Sequence, residues 1–183
     1  MDRFVNTVRR DVPGCPNPLI KEEVLSAAIE FCQRSWKYTQ DITVSVAAGD
    51  ETVTVTLPAG TGIVGINHTE VDDIKDYQVD YDGVVITLRD KATGAYSMTV
   101  NVALKPLPTV TALPDFLFND YYQAIAAGAK AKLMIMPGKE GTNPEYANLH
   151  SEVFQTGVRG AMRKVFQKTM PTEKRVENRG AWL

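Results

Sequence analysis

The sequence predicts an α+β fold: a helical bundle body of three main helices, an inserted small antiparallel β-sandwich or barrel-like lobe, and extended termini. Three observations carry this. Apolar residues recur at helical spacing in residues 17–40 and again in 108–168. Between them, residues 41–107 switch to two-residue alternation in about six short runs with turn residues between them. The chain has 183 residues, enough for one substantial core with a lobe attached but not for two large domains.

Residues 1–16 read as an arm, with Phe4, Val5 and Val8 as a small apolar edge and Asp11-Val-Pro-Gly-Cys-Pro as a turn-rich stop. A helix starts at Asn17-Pro18 and runs to about Lys37, with Ile20, Val24, Ala27, Ala28, Phe31 and Cys32 on its core side. Cys32 lies on that stripe and so reads as a buried structural thiol; a nucleophilic cysteine needs an electropositive setting and usually a histidine base. Two cysteines, Cys15 and Cys32, make no disulfide framework, and free thiols suit assembly in a cytosol.

In the β lobe, Ile42–Val46 and Val53–Leu57 alternate around Gly49-Asp50, which predicts a hairpin. Gly62–Asn67 is a third strand. The runs Tyr77–Asp80 and Gly83–Leu88 bracket an Asp82-Gly83 hairpin signal, and Ser97–Leu104 closes the set. The short, evenly spaced strands indicate a sandwich or barrel.

The segment 108–168 is a helical hairpin. Its first helix carries Phe118, Tyr122, Ile125, Ala129, Leu133 and Met136 on one face, and its second carries Tyr146, Leu149, Val153, Gly157 and Ala161. Asn143, Pro144 and Glu145 supply a cap, a proline where no N–H is missed and a carboxylate at the positive helix end. An interior glycine costs about 1 kcal/mol against alanine, so Gly128 and Gly157 predict close backbone contact. Residues 169–183 lack apolar periodicity and read as an extended tail ending in Ala181-Trp182-Leu183.

The net charge of −2 speaks against a general nucleic-acid binder. Charge is nevertheless uneven. Six carboxylates (Glu70, Asp72, Asp73, Asp76, Asp80 and Asp82) crowd one stretch, and seven cations lie between Arg159 and Arg179. Such asymmetry suits docking to charged protein surfaces. Asp80-Tyr-Asp82-Gly83 lacks the length and terminal glutamate of a calcium loop, and no phosphate loop, zinc-helix motif or nucleophile elbow occurs. Catalytic, cofactor-binding and metal-ligating residues are therefore expected to be absent, and the protein is expected not to be an enzyme. No apolar run approaches the ~20 residues of a membrane span, and Met1-Asp-Arg-Phe-Val offers no secretory leader.

Several segments in order carry a resemblance. Pro13-Gly-Cys-Pro-Asn-Pro-Leu-Ile leads into a helix with Ala27-Ala-Ile-Glu-Phe-Cys32. A β insertion follows, and then Leu113-Pro-Asp-Phe-Leu before Tyr121-Tyr-Gln-Ala-Ile-Ala-Ala-Gly-Ala-Lys-Ala-Lys-Leu133. In this order and length the chain resembles the head-to-tail adaptor (connector) proteins of tailed bacteriophages, especially those of short-tailed phages and related prophages. The resemblance implies a structural virion protein, assembled in the host cytoplasm and located at the portal–tail junction. It would form a ring of twelve copies that extends the DNA channel and offers a platform to tail tube or nozzle proteins. DNA would pass without sequence-specific binding.

On that resemblance Arg175, Arg179, Trp182 and Leu183 are candidate contacts to the portal protein. Asp72, Asp73, Asp80 and Asp82 form a candidate tail-side surface. The basic end of the second hairpin helix, Arg159, Arg163 and Lys164, is the candidate contact between ring subunits. Two other classes fit the sequence: a tail-completion or terminator ring protein, and a carbohydrate-binding accessory protein using Tyr77, Tyr81 and Tyr96.

Overall fold

The computed structural model describes residues 1–69, 74–79, 83–138 and 141–169. In chain order the elements are α1 (Asp2–Arg9), α2 (Asn17–Ser35), β1 (Thr39–Val46), β2 (Thr52–Thr56), β3 (Thr61–Thr69), β4 (Ile74–Val79), β5 (Gly83–Leu88), β6 (Tyr96–Pro106), α3 (Asp115–Met134) and α4 (Pro144–Thr169). The chain is thus α+β, with four helices and two three-stranded antiparallel sheets among the described residues, neither closed into a barrel.

The segment read as an arm is wound into a helix over Asp2–Arg9. Phe4, Val5, Val8 and Val12 recur at helical spacing and are all buried, with Cys15, in one cluster with α2, α3 and α4. Phe4 meets Phe118 edge-on at 5.2 Å, and Lys21 on α2 pairs with Asp2 at 3.0 Å. α2 buries all six residues expected of it, Ile20, Val24, Ala27, Ala28, Phe31 and Cys32. It starts at Asn17, as expected, but Asn17 is the first helical residue rather than a cap; its side-chain oxygen accepts a hydrogen bond from Arg9. At α4 the same sequence signal does cap: Asn143 Oδ1 accepts from the Tyr146 N–H at 3.2 Å.

α2 ends on Trp36, whose backbone is left-handed (φ 54°) and whose N–H reaches the Cys32 carbonyl at 3.0 Å. A bulky residue seldom takes this conformation. Here it turns the chain out of the helix and lays the indole against Gly65 of β3, where an added Cβ would lie 2.6 Å from the ring. Tyr38 completes the junction. Its carbonyl accepts from the Leu104 N–H of β6 at 2.7 Å, and its ring sits 5.3 Å from Phe116.

The six expected strands are present, but their pairing differs from the simplest hairpin order. The sheets run β1-β6-β3 and β2-β5-β4. β1 and β2 do not form a hairpin; the turn between them carries the chain from one sheet to the other. The turn is held from outside: the Gly49 N–H donates to the Ala92 carbonyl at 2.8 Å, and the Ala92 N–H donates to the Asp50 carbonyl at 3.0 Å. The alternate valines of both sheets point inward: Val44 and Val46 from one sheet and Val53 and Val55 from the other share one apolar cluster. β4 and β5 do pair antiparallel, with Val79 opposite Val84.

Candidate functional site

α3 is the hub of the helical cluster. Residues Ala124 to Ala129 are buried without a break, because α3 is covered by α1 and α2 on one side and by α4 on the other. Two glycines set the α3–α4 separation. A Cβ on Gly128 would lie 2.8 Å from the Phe154 ring and 3.1 Å from Ala27 Cβ, and one on Gly157 would lie 2.3 Å from Ala124 Cβ. The close approach expected of both glycines is therefore present inside one subunit.

This packing turns α4 away from the expected face. Ala147, Phe154, Val158 and Ala161 are buried, while Tyr146, Leu149 and Val153, expected in the core, are 56%, 54% and 49% exposed. The reason is the choice between two apolar stripes on one helix. Phe154 fills the space over Gly128, and Ala124 meets Gly157, so the helix is rotated onto the stripe led by Phe154. On α3, Tyr122 is similarly left at the surface.

The outer side of α4 consequently carries two separate apolar patches. Tyr146, Leu149 and Val153 project from its N-terminal half. In the C-terminal half, Met162 (41% exposed) and Phe166 (58% exposed) border a groove of about 480 Å³ that Trp36 also lines. At 3.6 residues per turn the patches are about 150° apart around the helix. Glu145, Glu152, Arg159 and Arg163 occupy the strip between them, all exposed, and none forms an ion pair with another described residue.

The three residues expected at a subunit contact all lie on α4 and are exposed. Arg159 and Arg163 are four residues apart and share one side, where like charges repel by a few tenths of a kcal/mol, about 0.2–0.5. Lys164 points elsewhere: its Nζ lies 5.9 Å over the Tyr121 ring, bordering a groove of about 520 Å³ between α3 and α4. Burial pushes the Tyr121 hydroxyl above its ordinary value, with the neighbouring Asp120 carboxylate adding to the shift. The candidate portal contacts Arg175, Arg179, Trp182 and Leu183 lie outside the described residues. So do the candidate tail-side carboxylates Asp72, Asp73, Asp80 and Asp82.

Cys32 is fully buried, and burial pushes its thiol up to about 12, so it carries no thiolate at neutral pH. Cys15 is also buried. His150 faces a dent of about 480 Å³ beside Asp11 and Thr142. Burial, and then the Lys130 ammonium, hold its imidazole below the ordinary value, against the opposing pull of Asp11. Lys130 is itself paired with Asp11 at 2.5 Å. His68 is exposed on β3. Among the described residues no group of three or more His, Cys, Asp or Glu side chains is placed to hold a metal ion. No helix among them is long and apolar enough to cross a membrane.

The exposed patches were hidden in the sequence by their own hydrophobicity. The usable signal was the second stripe, Ala147, Phe154, Val158 and Ala161, which competes with Tyr146, Leu149 and Val153. A helix with two apolar stripes must leave one of them for something else. No family model matches this chain, and a search of the curated proteins finds no match.

Proposed function

We propose that the protein is a structural ring component of a phage particle, a head-to-tail adaptor seated between portal and tail. In this role it extends the DNA channel, gives tail tube or nozzle proteins a platform and carries out no catalysis. The observation that supports it most is the outer side of α4, where two different apolar patches flank a strip of charge that forms no ion pair among the described residues. A subunit that closes a ring needs two unlike patches, whereas a two-fold dimer needs only one.

Within this reading the helices act as a compact bundle that holds α4 rigid, and the two sheets act as a sandwich-like lobe free to meet another component. Two cores linked through Trp36 and Tyr38 suit a spacer that transmits position without moving parts. DNA passes the ring as cargo and is not gripped, in keeping with the net charge of −2. The virion is the expected location, and the copy number of twelve comes from the resemblance alone.

A tail-terminator ring uses the same kind of geometry on a different partner. The test is assembly of the intact chain with purified portal and, separately, with tail-tube protein, read as particle mass by mass photometry and as ring symmetry by electron microscopy. A defined complex with portal is the expected result; a complex with tube alone would assign the terminator role. Arg163→Glu, on an exposed helix face, is expected to leave the melting temperature unchanged and to reduce ring formation at least about tenfold, a loss of about 1.4 kcal/mol per contact. Of the residues the carbohydrate reading would use, Tyr96 is half-buried against the strand cluster, Tyr77 is exposed, and Tyr81 lies outside the described residues.

A further inference from the structure

We infer that the projecting Tyr146–Leu149–Val153 patch of one copy seats in the Trp36–Met162–Phe166 groove of a second copy of this chain. The inference deepens the ring reading and rests on it only for the closure of the ring. The contact itself needs nothing but this protein.

Shape is the first support. Tyr146, Leu149 and Val153 stand out from α4 with about half of each side chain in water, whereas Trp36, Met162 and Phe166 border a concavity of about 480 Å³. One patch is a knob and the other a hole, on one rigid helix, separated along its axis by about 25 Å at 1.5 Å per residue. A two-fold pair would seat both knobs in both grooves at once and stop at a dimer. A head-to-tail contact sets knob into hole and leaves the other pair free for the next copy.

Charge is the second support, and it has the same polarity. The knob half of α4 carries the carboxylates Glu145 and Glu152, both exposed. The groove half carries Arg159 and Arg163, with no carboxylate between Phe154 and Gln167. Arg34 borders the groove from α2. The helix macrodipole favours acids at the start and bases at the end, but its influence fades within the first and last turns. Glu152 and Arg159 lie well inside a 26-residue helix, so the dipole does not account for them. Seating the knob brings the acidic half of one copy onto the basic half of the next, which offsets the Arg159–Arg163 repulsion of each subunit alone.

The test uses the intact chain carrying Leu149→Cys in one preparation and Phe166→Cys in another, treated with a short bis-maleimide at high protein concentration. Both positions are exposed, and the native Cys15 and Cys32 are buried, so the introduced thiols react selectively. An equimolar mixture is expected to give a 149–166 cross-linked dimer at least about tenfold above either preparation alone. Adding Arg163→Glu to the Phe166→Cys copy should cut the yield about tenfold, and adding Glu152→Arg to the Leu149→Cys copy should restore it.

Cross-linking of Leu149→Cys with itself above the 149–166 yield would mean that knob meets knob and overturn the inference, as would the absence of a 149–166 product; a 149–166 product whose particle mass stops at the dimer would keep the contact and overturn its closure into a ring. The adaptor reading fails separately. A 149–166 product from a protein that ignores portal leaves the contact standing and removes the adaptor. Portal binding without that product does the reverse.

Discussion

The helices and the strands of this protein use glycine for opposite purposes. In the helical cluster Gly128 and Gly157 lie where two helix surfaces touch, and they determine how near α4 comes to α3. In the sheets, Gly83 faces the backbone of β2 and Gly65 faces the indole of Trp36, so the missing side chain makes room for a neighbour that is already fixed. The helical contact is set by which residues are small. The strand contact is set by alternate valines, and glycine only removes an obstruction. A substitution in the first case should move a whole helix; in the second it should spoil one crossing.

The largest effect is expected at Gly157. A leucine there drives its first carbon to 2.3 Å from Ala124 Cβ, and overpacking of this kind costs on the order of 3 kcal/mol or more. Urea unfolding should show the midpoint collapse. Gly160, three residues on, has nothing within 4 Å of an added Cβ, so Gly160→Ala should instead stabilise the isolated chain by about 1 kcal/mol. Equal outcomes at the two positions would mean that α4 does not sit against α3 through Gly157.

Gly83→Ala is the next test. The new Cβ would lie 2.4 Å from the Val55 carbonyl oxygen, which is backbone and cannot rotate away. A loss of about 2 kcal/mol is expected, with the helical signal in circular dichroism unfolding in step if the two clusters form one cooperative unit. A helical transition that survives the strand transition would separate the clusters energetically.

A more gradual effect comes from pH. Burial raises the Cys32 thiol from an ordinary value near 9.0 to about 12. Between those values the unfolded chain releases a proton that the folded chain keeps, so the unfolded state binds fewer protons and stability falls as pH rises. The slope approaches about 1.4 kcal/mol per pH unit. Comparison of the intact chain with Cys32→Ala across this window isolates the contribution from tyrosines and lysines that titrate there too. An identical pH dependence in both proteins would remove Cys32 from the buried core.

What the sequence made legible follows the same divide. The α2 stripe was readable residue by residue, because Ile20 to Cys32 keep one helical face and only one. The six strands were readable as strands, since valine and threonine alternate with turn residues between them. Their partners were not, because alternation states which face is buried and says nothing about which strand lies alongside. On α4 the difficulty was excess. Tyr146, Leu149 and Val153 form as good a stripe as Phe154 and Val158, and only the contacts of Gly128 and Gly157 decide between them. Of the candidate contact residues, Arg159, Arg163 and Lys164 were legible as exposed charge, while the groove beside Trp36 was not, since it joins α2, β3 and α4.

The central place of β6 has a consequence for synthesis. It pairs with β1 through Thr39–Ala103 and with β3 through Thr61–Pro106, so neither outer strand finds its partner until the last strand leaves the ribosome. β5, by contrast, lies next to β4 in the chain and can pair with it early. The nascent protein therefore carries β1 and β3 with open edges while β6 is still being made, and α2 waits longer still for α3. During that interval the hydroxyls of Thr39, Thr43 and Ser45 and the Asp41 carboxylate are what keep the unpaired edge of β1 from joining another chain.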